Sequence, residues 1–177
     1  MCIMEKDDFK KINERELMDH YGYKGSLGRL QLRIKYLHSW SCHYIAYSSL
    51  HPDLTIKMQR ARGVKIGQGC HIAPYVLLDL MYPHLITIED NVGIGSNSMI
   101  FAHVNPTANL TLKQTYPRKT NKVLIKSGAW INPGCIITPG VTIGVNSIIA
   151  VGSIVSTDVP DNCVAAGNPA RIVKKNT

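Results

Sequence analysis

From Ile125 to Val155 an aliphatic residue stands at every sixth position: Ile125, Ile131, Ile137, Ile143, Ile149 and Val155. The residue four places after each is small or of modest size: Ala129, Cys135, Val141, Ser147, Ser153 and Val159. The same register appears upstream at Ile66, Ile72 and Leu78, with Cys70 and Val76, and returns at Ile88, Ile94 and Ile100, with Val92, Ser98 and Val104. Helices repeat near 3.6 residues and strands at 2, so neither alone holds a period of six. A short strand plus a tight corner does, and three such units make one triangular turn of a parallel β-helix. The aliphatic residue points inward, and the small residue lets the corner close. Gly and Asn between them tolerate the positive φ that corners can demand. Equivalent residues of successive turns stack, each fully buried aliphatic contributing about 1.5–3 kcal/mol, and the stack grows by nearest-neighbour contacts.

The repeat breaks twice. "DLMYPHLIT" inserts a bulge between Leu78 and Ile88, and "HVNPTANLTLKQTYPRKTNK" is a polar loop that leaves the solenoid from His103 to Lys122. A long loop in a regular scaffold is either functional or a disordered spacer. Ahead of the repeat, "SLGRLQLRIKYLHSW" carries Leu27, Leu30, Ile34 and Leu37 at helical spacing, with Arg29, Arg33 and Lys35 off that stripe. One reading is a helix whose stripe covers the open N-terminal end of the solenoid. The other is a basic amphipathic helix over residues 26–48 that touches a membrane surface, with Trp40 at the boundary. Residues 5–20 read as a further, mostly solvated helix. The expected organisation is a helical region over 1–60, a β-helix over 61–160 with an extruded loop at 103–122, and a C-terminal segment over 161–177.

The chain has 177 residues, is 45% hydrophobic and carries a net charge of +8. Between Lys24 and Lys65 eight Lys or Arg face one acid, Asp53, and from Asn91 to Thr157 there is no carboxylate. This balance favours an anionic ligand or surface. No recognition motif accompanies the charge, so nucleic acid is not an expected partner. The charged start "MCIMEKDDFKK" and the lack of a long apolar run predict neither a secretory signal nor a membrane span. The five cysteines, Cys2, Cys42, Cys70, Cys135 and Cys163, have no framework spacing. They read as reduced thiols of a cytoplasmic protein, with Cys70 and Cys135 as core residues and not nucleophiles.

"VGSIVSTDVPDNCVAAGNPARIVKK", following consecutive [Ile/Val]-Gly-x4 units, resembles the hexapeptide-repeat acyltransferases. "YPHLITIEDNVGIGSNSMIFAH" and "RARGVKIGQGCHI" resemble the branch of galactoside, maltose, xenobiotic and surface-polysaccharide O-acetyltransferases. The likeness covers roughly residues 60–175. It implies a left-handed parallel β-helix, a homotrimer with sites between subunits, and acetyl-CoA or a longer acyl-CoA as donor to a hydroxyl of a sugar or polysaccharide precursor. It maps the general base onto His103, a site tryptophan onto Trp130, and phosphate-binding basic residues onto Arg171 and Lys174. Two positions depart from the pattern. Val104 stands where an acid often follows the histidine. Pro133, which has no N–H, stands where an amide can face the thioester oxygen.

Histidine suits the base role because its unperturbed pKa is about 6.5. Its orienting partner is a backbone carbonyl, another subunit, or one of Asp79, Glu89 and Asp90. Asp79 is also a candidate to hydrogen-bond a sugar hydroxyl, against a plain turn aspartate. His84 reads as a solvated corner residue. Metal-dependent carbonic anhydrases share this scaffold, but they need three converging histidines, and only His71, His84 and His103 lie beyond residue 51. No metal is expected. A trimeric scaffold without catalysis is the remaining alternative.

Overall fold

The computed structural model describes residues 8–106 and 108–175, and Cys2 lies outside them. Two compact units divide the chain. One joins the described residues up to His38 with Val104–Lys119, and the other joins Ser39–His103 with residues from Thr120 onward. The residues from Ser39 to the end of the long helix Gly25–Ser48, and the helix Pro52–Ala61, fall in the unit that holds the solenoid.

The first unit contains α1 (Asp8–Tyr21), the start of α2 (Gly25–Ser48) and a short helix, α4 (Leu110–Thr115), carried by the extruded loop. The loop is not a disordered spacer. Glu16 of α1 accepts from Lys113 at 2.7 Å and from Arg118 at 2.8 Å, and Asn13 accepts from Lys113, Arg118 and Asn105. Burial pushes the Glu16 carboxyl up, but the bonds and charges of Lys113 and Arg118 outweigh it and hold it below its ordinary range. Leu17, Met18 and Asn13 are buried, so α1 is less solvated than its composition suggested. A cleft of about 530 Å³ within the loop is lined by Val104, Asn105, Pro106, Tyr116, Pro117 and Lys119.

In the second unit the period of six becomes three parallel sheets. One contains Lys65–Ile66, Ile86–Ile88, Val123–Ile125 and Thr142–Ile143. A second contains His71–Ile72, Gly93–Ile94, Trp130–Ile131 and Ile148–Ile149, then Cys163–Gly167 and the antiparallel Ala170–Lys175. The third contains Leu77–Leu78, Met99–Ile100, Ile136–Ile137 and Ile154–Val155. The registers stack the repeat's aliphatics on one another: Ile88 on Ile125 on Ile143, Ile94 on Ile131 on Ile149, and Leu78 on Ile100 on Ile137 on Val155. All of these residues are buried. Buried serines tie coils together. Ser98 donates to Asn132 O and accepts from Cys135 N, and Ser147 donates to Pro160 O and accepts from Cys163 N. Val104 does not continue the register, because the chain has left the prism by then and its side chain is exposed.

Along its strands each coil donates N–H groups to the carbonyls of the next, as in Gly67 N to Ile88 O, Glu89 N to Ile125 O and Lys126 N to Ile143 O, while corner bonds such as Asn91 N to Gln68 O run the other way. The carbonyls of the first coil therefore have no coil before them to supply donors, and buried carbonyls need partners. Two arginines at the C-terminal end of α3 (Pro52–Ala61), Arg60 in its last turn and Arg62 at its C-cap, and one hydroxyl of α2 supply them. Arg60 donates to Ile66 O and Gly67 O, Arg62 to Leu78 O and Asp79 O, and Ser39 Oγ to Leu80 O. The stripe of Leu27, Leu30, Ile34 and Leu37 belongs to the other unit. Helix α2 forms, but those four side chains are each more than half exposed. The buried side of the same helix carries Leu32, Ser39, Cys42, His43 and Ala46.

Candidate active site

Leu77–Leu78 pairs with Met99–Ile100, so the residues that follow each strand lie one above the other. Asp79 N donates to Ile100 O, and the chain then turns through Ala102 to His103 at the root of the extruded loop. Coil stacking thus brings together two residues 24 positions apart in sequence: His103 Nδ1 lies 2.6 Å from Asp79 Oδ2. Asp79 has no exposed surface. Its Oδ2 also accepts from Ala102 N at 2.8 Å, and its Oδ1 accepts from Met81 N and Tyr82 N, each at 2.9 Å. Burial pushes the Asp79 carboxyl up. The His103 hydrogen bond, the imidazole's charge and the amides of Tyr82 and Ala102 outweigh that and hold it below the usual range. An ionised carboxylate only accepts, so Nδ1 of His103 carries the hydrogen and Nε2 is left as the basic nitrogen. The His103 side chain is 22% exposed, and the buried ring of Tyr82 flanks it at 5.1 Å between centroids.

Asp79, expected to meet a substrate hydroxyl, is thus enclosed, with both oxygens engaged inside the protein. Glu89, another candidate partner of His103, instead accepts from Ser127 N and Oγ. Behind Asp79 stands Arg62, a residue the sequence did not single out. It is buried and donates to Gln59 Oε1 at 2.6 Å, His43 Nδ1 at 3.2 Å and Ser39 Oγ at 3.1 Å, besides the two backbone carbonyls. Burial lowers Arg62 to about 10 against the pull of Asp79, so the guanidinium stays charged near neutrality. Burial and the Arg62 charge lower His43 to about 4, which leaves it neutral and accepting through Nδ1.

Trp130, Arg171 and Lys174 lie on a different sheet from the Asp79–His103 pair. Trp130 is aligned with Ile148, Ile148 with Val164, and Val164 with Lys174, so Trp130 and Lys174 stand in one row. Three strand spacings separate them, about 14 Å. Both are exposed, as is Arg171 on the same terminal strand. Gly93 lies beside the Trp130 indole, where a Cβ would be in ordinary contact at 3.4 Å. This row is an open basic strip of the kind an elongated phosphate-bearing ligand needs. Near Pro133 the flanking amides are taken: Asn132 N donates to Ile149 O and Gly134 N to Ser96 O. His84 is half-buried in the 3₁₀ turn Pro83–Leu85. Cys135 is buried, which raises its thiol, and Cys42, Cys70, Cys135 and Cys163 are present as thiols. Among the described residues no group of three or more His, Cys, Asp or Glu could hold a metal ion.

Strands of two or three residues, one per six-residue unit, stacked in three parallel sheets with a loop leaving one corner beside a histidine, make a left-handed β-helix, a fold shared with solved hexapeptide-repeat acetyltransferases. Among solved structures, the chain is similar to a galactoside acetyltransferase in complex with coenzyme A, at 26% identity and a TM-score of 0.62, over 82% of each chain. It is also similar to a maltose O-acetyltransferase from Clostridium difficile 630, at 25% identity and a TM-score of 0.62, over 83% of this chain and 89% of that one. Among curated proteins it is similar to YvoF of Bacillus subtilis (strain 168), named as an acetyltransferase by inference, with 36% identity over 110 residues. That match covers 62% of this chain and spans 59% of the relative's length. No family model matches the sequence.

Proposed function

We propose that this chain is an O-acetyltransferase that moves an acetyl group from acetyl-CoA to a hydroxyl of a sugar or polysaccharide precursor. The observation that carries the reading is the Asp79–His103 pair at the root of the extruded loop. A buried carboxylate fixes the imidazole tautomer and leaves Nε2 basic. Asp79 acts through His103 and is a positioning residue. His103 Nε2 takes the proton of the acceptor hydroxyl as its oxygen attacks, and Asp79 stabilises the imidazolium that forms. Acetyl-CoA supplies the activated thioester: the C–O ester bond forms as the C–S bond breaks, and the leaving coenzyme A thiolate takes the proton held on His103, giving the free thiol. The oxyanion donor lies outside Asn132–Gly134, whose amides are engaged within the solenoid or, at Pro133, absent. The sugar acceptor is supported by the names of the galactoside and maltose enzymes.

The working assembly in this reading is a homotrimer. The catalytic pair and the strip of Trp130, Arg171 and Lys174 occupy different sheets of one solenoid, and a neighbouring copy packed alongside joins them. Trp130 then flanks the acyl group, while Arg171 and Lys174 meet the phosphates. The thiols suit a reducing compartment such as the cytoplasm. A scaffold without catalysis has no use for an enclosed aspartate aimed at a part-exposed histidine, because burying a carboxylate is costly.

The test is thiol release from acetyl-CoA over a panel of sugars, with coenzyme A binding followed by calorimetry. His103→Ala is expected to keep binding and to lose roughly 10²–10⁴-fold in turnover, the usual range for a general base. Near wild-type turnover in that variant would reject His103 as the base.

A further inference from the structure

We propose that the exposed face of α2 seats on an anionic phospholipid surface, with the helix lying in the plane of the headgroups. At 24 residues α2 is about 36 Å long. Leu27, Leu30, Ile34 and Leu37, at 67%, 53%, 58% and 71% exposure, make one stripe along it, and Tyr44, at 75%, continues the stripe about two turns further on. Spacings of three, four and seven put these side chains on one face. Leu32, Cys42 and Ala46, all buried, hold the other face to the protein. The helix is therefore apolar on two sides, and the protein covers only one of them.

The occupant follows from charge and side-chain type. No Asp or Glu occurs between Gly25 and Ser48, while Arg29 and Arg33 flank the stripe. Trp40 lies beside it, 54% exposed. Apolar side chains bounded by arginines and amphipathic rings match the order of a bilayer surface: acyl carbons below, ring-bearing residues at the boundary, phosphates outside. Arg29 is paired with Glu14 of α1 at 3.0 Å, but pairing of the stripe with its equivalent in a second copy would set Arg33 against its own counterpart, with no carboxylate on either α2 to relieve it. Spanning is not the mode, since no helix among the described residues is long and apolar enough to cross a membrane.

The experiment uses the full chain and co-sedimentation with phosphatidylcholine vesicles with and without phosphatidylglycerol. Binding is expected to phosphatidylglycerol vesicles, to weaken with salt, and to be lost in the Leu30→Ser/Ile34→Ser/Leu37→Ser variant. All three side chains are already in solvent, so the far-UV circular dichroism and melting temperature of that variant should match wild type. In a Trp130→Phe background, Trp40 fluorescence should shift to the blue on binding. No binding of the wild-type chain at low salt, or equal binding of the triple variant, overturns the proposal. So does a triple variant whose only change is a smaller oligomer, which would assign the face to another copy.

Discussion

Asp79 accepts four hydrogen bonds without any exposed surface, from Met81 N, Tyr82 N, Ala102 N and His103 Nδ1. The three amides keep the carboxylate charged and still, and the fourth bond passes that constraint to the imidazole. Arg62 holds the same corner from behind, through the carbonyls of Leu78 and Asp79, and His43 is kept neutral beside it. This has a signature in acid. His43 is lowered to about 4 from an unfolded value of 6.5. Between those two pH values the unfolded chain binds a proton there that the folded chain does not, so stability falls as pH falls through the window. The slope approaches about 1.4 kcal/mol per pH unit. Asp79, also depressed, contributes stability above its unfolded value that is lost lower still, as pH falls through its folded value. Thermal melts between pH 7 and pH 4 should show the first slope in the wild type and its flattening in His43→Gln, whose amide oxygen can still accept from Arg62. An unchanged slope in that variant would place the acid sensitivity elsewhere.

At the scale of the strand and corner, much of the architecture was legible in the residues. Parallel stacking makes burial a local property of the six-residue unit, so Ile125 through Val155 announced both the coils and their inward positions. The part played by the glycines was only half legible. Gly128, Gly134, Gly140 and Gly152 have positive φ, as do Asn91, Asn97 and Asn146. Gly67, Gly95 and Gly144 serve a different purpose, because a Cβ there would strike the backbone of the next coil. Gly144→Ala, against Pro160 and Asp161, is therefore expected to cost about 1–3 kcal/mol by overpacking, read as a lower urea midpoint. A neutral result would mean that the last coil yields freely. The donors to the first coil were not legible, for a physical reason. The first coil's unpaired carbonyls follow from the direction of the hydrogen-bond ladder, which no residue pattern displays, so Arg60 and Arg62 carried no signal. The helical period of Leu27 to Leu37 was readable, but α2 is apolar on both sides, and period alone does not say which side is covered. Asp79 was named both as one of three carboxylates that could orient His103 and as a substrate contact, since composition does not reveal that a carboxylate is enclosed.

Over the whole solenoid, the stacked coils act as a stiff frame that sets two remote features at fixed separation: a carboxylate-paired histidine at one corner, and exposed basic residues on another sheet. Stiffness of this kind is what holding a thioester and a hydroxyl in register requires. The strip makes its own demand. The Arg171→Ala/Lys174→Ala variant should bind coenzyme A more weakly and with a shallower salt dependence than wild type, because exposed phosphate contacts are screened by salt. Unchanged affinity by calorimetry would move the phosphates to other cations. The central claim is that Asp79 and His103 work as one unit, and a double-mutant cycle in acetyl transfer tests it most directly. If Asp79 acts only through His103, Asp79→Asn lowers turnover while coenzyme A binding persists, and Asp79→Asn/His103→Ala is no slower than His103→Ala alone. Additive losses in the double variant would contradict this, and would show that the carboxylate and the imidazole serve the reaction separately.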